Sequence, residues 1–201
     1  MTYQARQASA CAVFASFLLA SATHAEVPIV QPGAPGEPPR ALSADEATAI
    51  ADTSYTNDDV RFMQDMIPHH HQALQMAGLV ATRTNNSDVI DIAGRINESQ
   101  DDEIGFMKAW LAERGATVPD PSAHDAMHMS HMMAGMASPE QMAALAAAES
   151  TAFDRMFLEL MIAHHEGAVT MVEALLEQKG AAYDPVLFEF TNDVTNDQTA
   201  E

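Results

Sequence analysis

The chain carries one helical motif twice, and this repeat limits its possible folds more than any other feature. Phe62, Met66, Ile67, His69, His70, Ala73 and Met76 reappear as Phe157, Met161, Ile162, His164, His165, Ala168 and Met171, at a constant offset of 95 residues. Spacings of three, four and seven place such residues on one face of a helix. Further on, Ile96, Gln100 and Glu103 match Val194, Gln198 and Glu201 at an offset of 98. The difference falls between helices, where added residues are tolerated. Each half is therefore a helical hairpin. Two hairpins packed together predict an all-α protein, an antiparallel four-helix bundle. The first half continues past Glu103 through Met107 and Trp110, whereas the second reaches Glu201, where the sequence stops.

Capping residues place the boundaries. Residues 27–40 hold five prolines without helical period and read as a linker. Ser43-Ala44-Asp45-Glu46 is a capping box for a short helix. Thr56 starts a long periodic stretch to Arg83, and Ser87 is the N-cap of a helix that stops at Gly115. Ser138-Pro139-Glu140-Gln141 starts an Ala-rich helix, after which Thr151 restarts or continues the pattern to Lys179. Asp184-Pro185 starts the last helix. The expected organisation is a signal peptide over 1–25, a Pro-rich linker and short helix over 26–55, and a duplicated bundle over 56–201. A Met/His-rich loop interrupts the bundle at 116–137.

The N-terminus has the three parts of a secretory signal. Arg6 precedes an apolar run from Ala8 to Ala22, and small residues follow up to Ala25, the expected cleavage point. The run is too short for a stable membrane span, so the mature chain is expected to be periplasmic or secreted. Cys11 is the only cysteine and would leave with the signal. Any soft metal ligand in the mature chain must then be Met or His. A net charge of -20 argues against nucleic acid and anionic membrane surfaces as partners.

The candidate chemistry lies in two places. Met66 neighbours His69 and His70 on one helix, and Met161 neighbours His164 and His165 on another. If the hairpins pack with pseudo-twofold symmetry, four imidazoles and two thioethers meet in the interior. Imidazole suits Cu, Zn, Fe and Ni, and thioether selects Cu(I) among them. The plain alternative is a satisfied core histidine, but two adjacent buried pairs are costly to desolvate unless something satisfies them. His71 has Glu166 as its counterpart and reads as a surface residue. The second place is the loop, where His124, Met127, His128, Met129, His131, Met132, Met133 and Met136 crowd into thirteen positions. Composition reads this tract as metal-binding, and its alternative is a Met-rich docking surface. A di-iron bundle would need a Glu three residues before a ligating His. Neither pair has one, so iron is disfavoured. Gln100, Glu103, Gln198 and Glu201 read as partners that orient imidazoles, or as exposed polar positions.

The two copies of Phe-x-x-x-Met-Ile-x-His-His, with Ala73, Met76, Gly167, Ala168 and Met171 after them, resemble the duplicated signature of the family called domain of unknown function 305. Met136-Ala137-Ser138-Pro139-Glu140-Gln141-Met142 resembles the loop between its halves. The resemblance implies a ferritin-like four-helix bundle. Some periplasmic members bind copper and contribute to copper resistance. By that likeness the ligands here would be His69, His70, His164 and His165, with Met66, Met76, Met161 and Met171. The expected function is an exported, non-enzymatic protein that sequesters Cu(I) or Cu(II), or passes it to a copper-transfer protein. A ferritin-like metal-dependent oxidase and a metal-free interaction module are the alternatives.

Overall fold

The computed structural model describes residues 28–51, 54–121 and 133–201. The expected signal segment and most of the Met/His loop lie outside the described residues. The described residues fall into two units, one ending at Ala47 and one spanning Thr48 to Glu201.

The first unit departs from the structureless linker expected from its prolines. Strand β1 (Ile29–Gln31) pairs antiparallel with β2 (Arg40–Leu42), Ile29 opposite Leu42. All five prolines flank these strands, so none removes a ladder donor. The connecting turn needs glycine: Gly36 sits at φ +94, and a Cβ on Gly33 would collide with the carbonyls of Glu37 and Pro38. Helix α1 (Ala44–Ala51) opens on the expected capping box, in which the Ser43 N–H donates to Glu46 Oε2 at 2.9 Å and the Glu46 N–H donates to Ser43 Oγ at 3.2 Å.

The second unit is the duplicated bundle. Its long helices are α2 (Asn57–Arg83), α3 (Ser87–Glu113), α5 (Ser150–Leu176) and α6 (Pro185–Ala200), with the short α4 (Pro139–Ala147) in the connection. The Ala-rich helix α4 and the long helix α5 are thus separate elements, parted at Ala148–Glu149, and Ser150 takes φ +54. Helix α2 packs along α3, α5 along α6, and α2 against α5.

The core shows that α2 and α5 run antiparallel. Phe62, Met63, Met66 and Ile67 from the first half of α2 meet Ala168, Val172 and Leu175 from the second half of α5. Ala73, Met76, Ala77 and Val80 meet Phe153, Phe157 and Met161 in the opposite sense. The repeat is therefore a pseudo-twofold in space, with the histidine pairs at its centre. Pro68 lies buried inside α2, which runs on through it to Arg83.

The helix starts repeat the symmetry. Asp59 is fully buried: its Oδ2 accepts from the Thr56 N–H at 2.7 Å, and its Oδ1 accepts from the Ala182 N–H at 2.7 Å in the α5–α6 turn. Its counterpart Asp154 accepts from Asn86 Nδ2 at 3.3 Å, in the α2–α3 turn. Each hairpin thus anchors its first helix to the other hairpin's turn. Arg114 ties α3 to α6 by pairing with Asp184 while lying 4.0 Å over the Trp110 ring.

Candidate metal centre

The histidines lie at the crossing of α2 and α5, in a polar layer between the two apolar clusters. His69, His70 and His164 are fully buried and His165 is 4 % exposed. The rings of His69 and His164 face each other with centroids 3.9 Å apart, and each stands about one ring-length from its own neighbour, 6.2 Å to His70 and 6.1 Å to His165. His71, one position on, is part-exposed.

The hydrogen bonds fix the orientation of the rings. His69 Nε2 lies 2.9 Å from the Ala134 carbonyl oxygen, and His164 Nε2 lies 2.8 Å from the His69 carbonyl oxygen. A carbonyl only accepts, so both Nε2 atoms carry the proton. His70 Nε2 donates to Glu103 Oε2 at 2.6 Å, and His165 Nε2 donates to Glu201 Oε2 at 3.0 Å. Burial pushes the His69 pKa down to about 3, helped by the neighbouring charge of His70. Burial, with His69 and His70, holds His164 well below the ordinary histidine value. Both rings are therefore neutral at physiological pH, and their Nδ1 atoms hold lone pairs.

All four Nδ1 atoms are buried without a partner. The amides of Gln100 and Gln198 are orphaned at both ends, in matching places on α3 and α6. Leaving such groups unsatisfied costs about 1–3 kcal/mol each. An imidazole whose Nε2–H is fixed by a carboxylate or a backbone carbonyl, with Nδ1 free, has the form of a metal-ligating histidine. Among the described residues, however, no three His, Cys, Asp or Glu side chains converge to hold an ion.

The methionines divide between the two sides of the layer. Met66 is fully buried in the first apolar cluster, with Met171 partly buried against it. Met76 and Met161 lie together in the second. Helix spacing sets Met66 beside its own histidine pair and Met161 beside the other. Of the loop candidates, Met133 and Met136 are part-buried. His124, Met127, His128, Met129, His131 and Met132 lie outside the described residues.

The loop's last residues are seated in the centre itself. The Ala134 carbonyl meets His69, and Gln72 bonds both backbone groups of Ala137, donating from Nε2 at 2.9 Å and accepting at Oε1 at 2.7 Å. Gly135, at φ +75, lies against the backbone of Ala163 and Gly167. Sequence reasoning overlooked Gln72. The available signal was a polar residue one turn after His69 on a buried face.

Two cavities reach the glutamates that hold His70 and His165. Glu103 lines a cavity of about 440 Å³ between α3 and α6, with Asp102, Glu189, Asp193 and Asp197. Burial, and then the charges of Glu103 and Glu201, raise the Asp197 pKa. A second cavity, also about 440 Å³, is lined by Met161, His165, Gln198 and Glu201. Burial opposes ionisation of Glu201, but the hydrogen bond and charge of His165, with Ser99 and Arg95 beside them, outweigh it and lower the Glu201 pKa.

Fold and site together define an all-α bundle of two pseudo-symmetric hairpins around a buried layer of imidazoles. The chain belongs to the family described as Domain of unknown function (DUF305), whose profile matches residues 59–201. A DUF305 fragment from Deinococcus radiodurans is 30 % identical with a TM-score of 0.61, over 73 % of this chain and 91 % of that one. A DUF305 protein from Streptomyces coelicolor is 27 % identical with a TM-score of 0.60, over 71 % of this chain and 86 % of that one. CopM in a Cu(I)-bound form is 28 % identical with a TM-score of 0.55, over 73 % of this chain and 90 % of that one. CopM has also been solved with Cu(II) and with silver bound. An uncharacterized protein of Acanthamoeba polyphaga mimivirus is 37 % identical over 57 residues, and the match spans 38 % of that protein's length. No helix among the described residues is long and apolar enough to cross a membrane.

Proposed function

We propose that this is an exported protein that binds copper as cargo, sequestering Cu(I) or Cu(II) or handing it to a copper-transfer protein in copper homeostasis or resistance. The observation that carries this reading is the set of four buried imidazoles, each with its Nε2 tied to an oxygen and its Nδ1 bare. The bare Nδ1 lone pairs of the neutral His69 and His164 would be satisfied by a cation. Thioethers on both sides of the layer favour Cu(I) over zinc or iron. The metal-bound forms of CopM, a protein of the same fold, support the same choice.

His69, His70, His164 and His165 would form the tight site, with Met66, Met76, Met161 and Met171 as the sulfur donors beside it. The loop from His124 to Met136 would capture copper and pass it on. Titration with Cu(I) under reductant and with Cu(II) in air, with elemental analysis of the purified protein, tests this. Replacing the four histidines together should abolish the tighter site, and retention of that site would overturn the assignment. Iron with oxygen-dependent turnover would favour an oxidase, and a protein that takes up no metal would leave a docking module.

A further inference from the structure

At one of the positions beside the centre where the two halves of the repeat differ, both residues meet the connection between them. At the offset of 95 that matches His69 with His164, Gln72 matches Gly167. Both residues face the same short segment, residues 134–137, which the structure contains once. Gln72 grips the N–H and the carbonyl of Ala137. Gly167 leaves room for the backbone of Ala134 and Gly135, because a Cβ there would collide with the Ala134 carbonyl. One half supplies a clamp and the other a slot, and a single strand of backbone lies between them. That backbone delivers the Ala134 carbonyl to His69 Nε2. His70 and His165 take the equivalent bond from glutamates, and His164 takes it from the His69 backbone. Among the described contacts, His69 is the ring whose orientation depends on the connection between the hairpins.

We propose that Gln72 is a positioning residue for the metal centre. By holding Ala137 it keeps the Ala134 carbonyl on His69, fixes the Nε2–H form of that ring, and so presents Nδ1 as the donor. The effect on copper rests on the copper reading above, whereas the effect on the ring does not. The glutamine itself touches no ligand atom. It acts through the seated backbone, which is also the last part of the Met/His loop.

The consequence is measurable in the metal-free protein. In the wild type, long-range nitrogen–proton spectra should show His69 as a single Nε2–H tautomer. Gln72→Met keeps the length and volume of the side chain and removes both bonds to Ala137. His69 should then shift towards a mixture of tautomers, while His70, held by Glu103, keeps its signals. Gly167→Ala should give the same His69 shift by the opposite route, pushing the Ala134 carbonyl away. Competition with a chromophoric Cu(I) chelator should show a loss in affinity of about 10-fold for either variant, the usual effect of losing a partner that orients a ligating histidine. Circular dichroism establishes that each variant is folded, and Gln72→Met alone suffices if Gly167→Ala is not. An unchanged His69 tautomer in folded Gln72→Met would overturn the proposal, as would unchanged Cu(I) affinity in a wild type that binds copper. A wild type that binds no Cu(I) refutes the copper reading, and the tautomer shift then decides the role of Gln72 by itself.

Discussion

His69 illustrates how a buried ring acquires a pH signature. Its pKa falls to about 3 in the folded protein, first through burial and then through the neighbouring His70. The unfolded chain binds this proton near the ordinary value of about 6.5. Between those limits the unfolded state holds more protons, so stability is lost as pH falls through that window and is flat above it. His164 is shifted the same way by burial and by His69 and His70. Urea denaturation of copper-free protein should therefore show the midpoint dropping from neutral to mildly acidic pH. His69→Gln combined with His164→Gln should flatten that drop relative to the wild type. Equal slopes in the two proteins would show that these rings are hydrated and protonated normally.

At the level of elements, the proposed function assigns the bundle and the loop separate tasks. Among the described residues, the two apolar clusters are built almost wholly from α2, α3, α5, α6, the α5–α6 turn and the residues around α4, with Ala116 and Ala137 from the two ends of the loop. Replacing Met127, Met129, Met132, Met133 and Met136 together by leucine should therefore leave the helical circular dichroism unchanged. The same variant should bind fewer Cu(I) ions per chain, because thioether is the soft donor available. Wild-type stoichiometry would remove the loop from the ligand set. Of these five only Met136 lies in the seated segment, with Met133 just before it, so a milder double variant at 133 and 136 separates seating from binding.

Across the whole molecule, folding and copper loading should be linked. An ion that binds the folded state alone stabilises it by about 2.7 kcal/mol when its free concentration is 100 times Kd. The wild type should accordingly gain in Tm on copper loading, and a protein with all four central histidines replaced should gain none from the tight site. The gain should come from the α2–α5 crossing, because the layer joins the two hairpins there. An equal gain in both proteins would place the stabilising ion elsewhere.

Much of this architecture was legible because helical periodicity is local. The offset of 95 announced two equivalent hairpins, and Ser43, Thr56, Ser138 and Asp184 announced helix starts that the backbone confirms. The paired histidines were readable as a buried face for the same reason. The N-terminal ribbon was not, because prolines placed just outside two three-residue strands look the same in sequence as prolines in a linker. The partners of the imidazoles were only partly readable. Glu103 and Glu201 stood at matching places, but which nitrogen each would meet depends on the distance between helices. Gln72 and Gly167 were invisible as a pair, since the backbone that both contact comes from a third segment. The sequence by itself determined which residues share a helix face, because that follows from 3.6 residues per turn. The tertiary structure alone decided which ring nitrogens are satisfied and which are left bare, because that depends on atoms brought together from segments far apart in the chain.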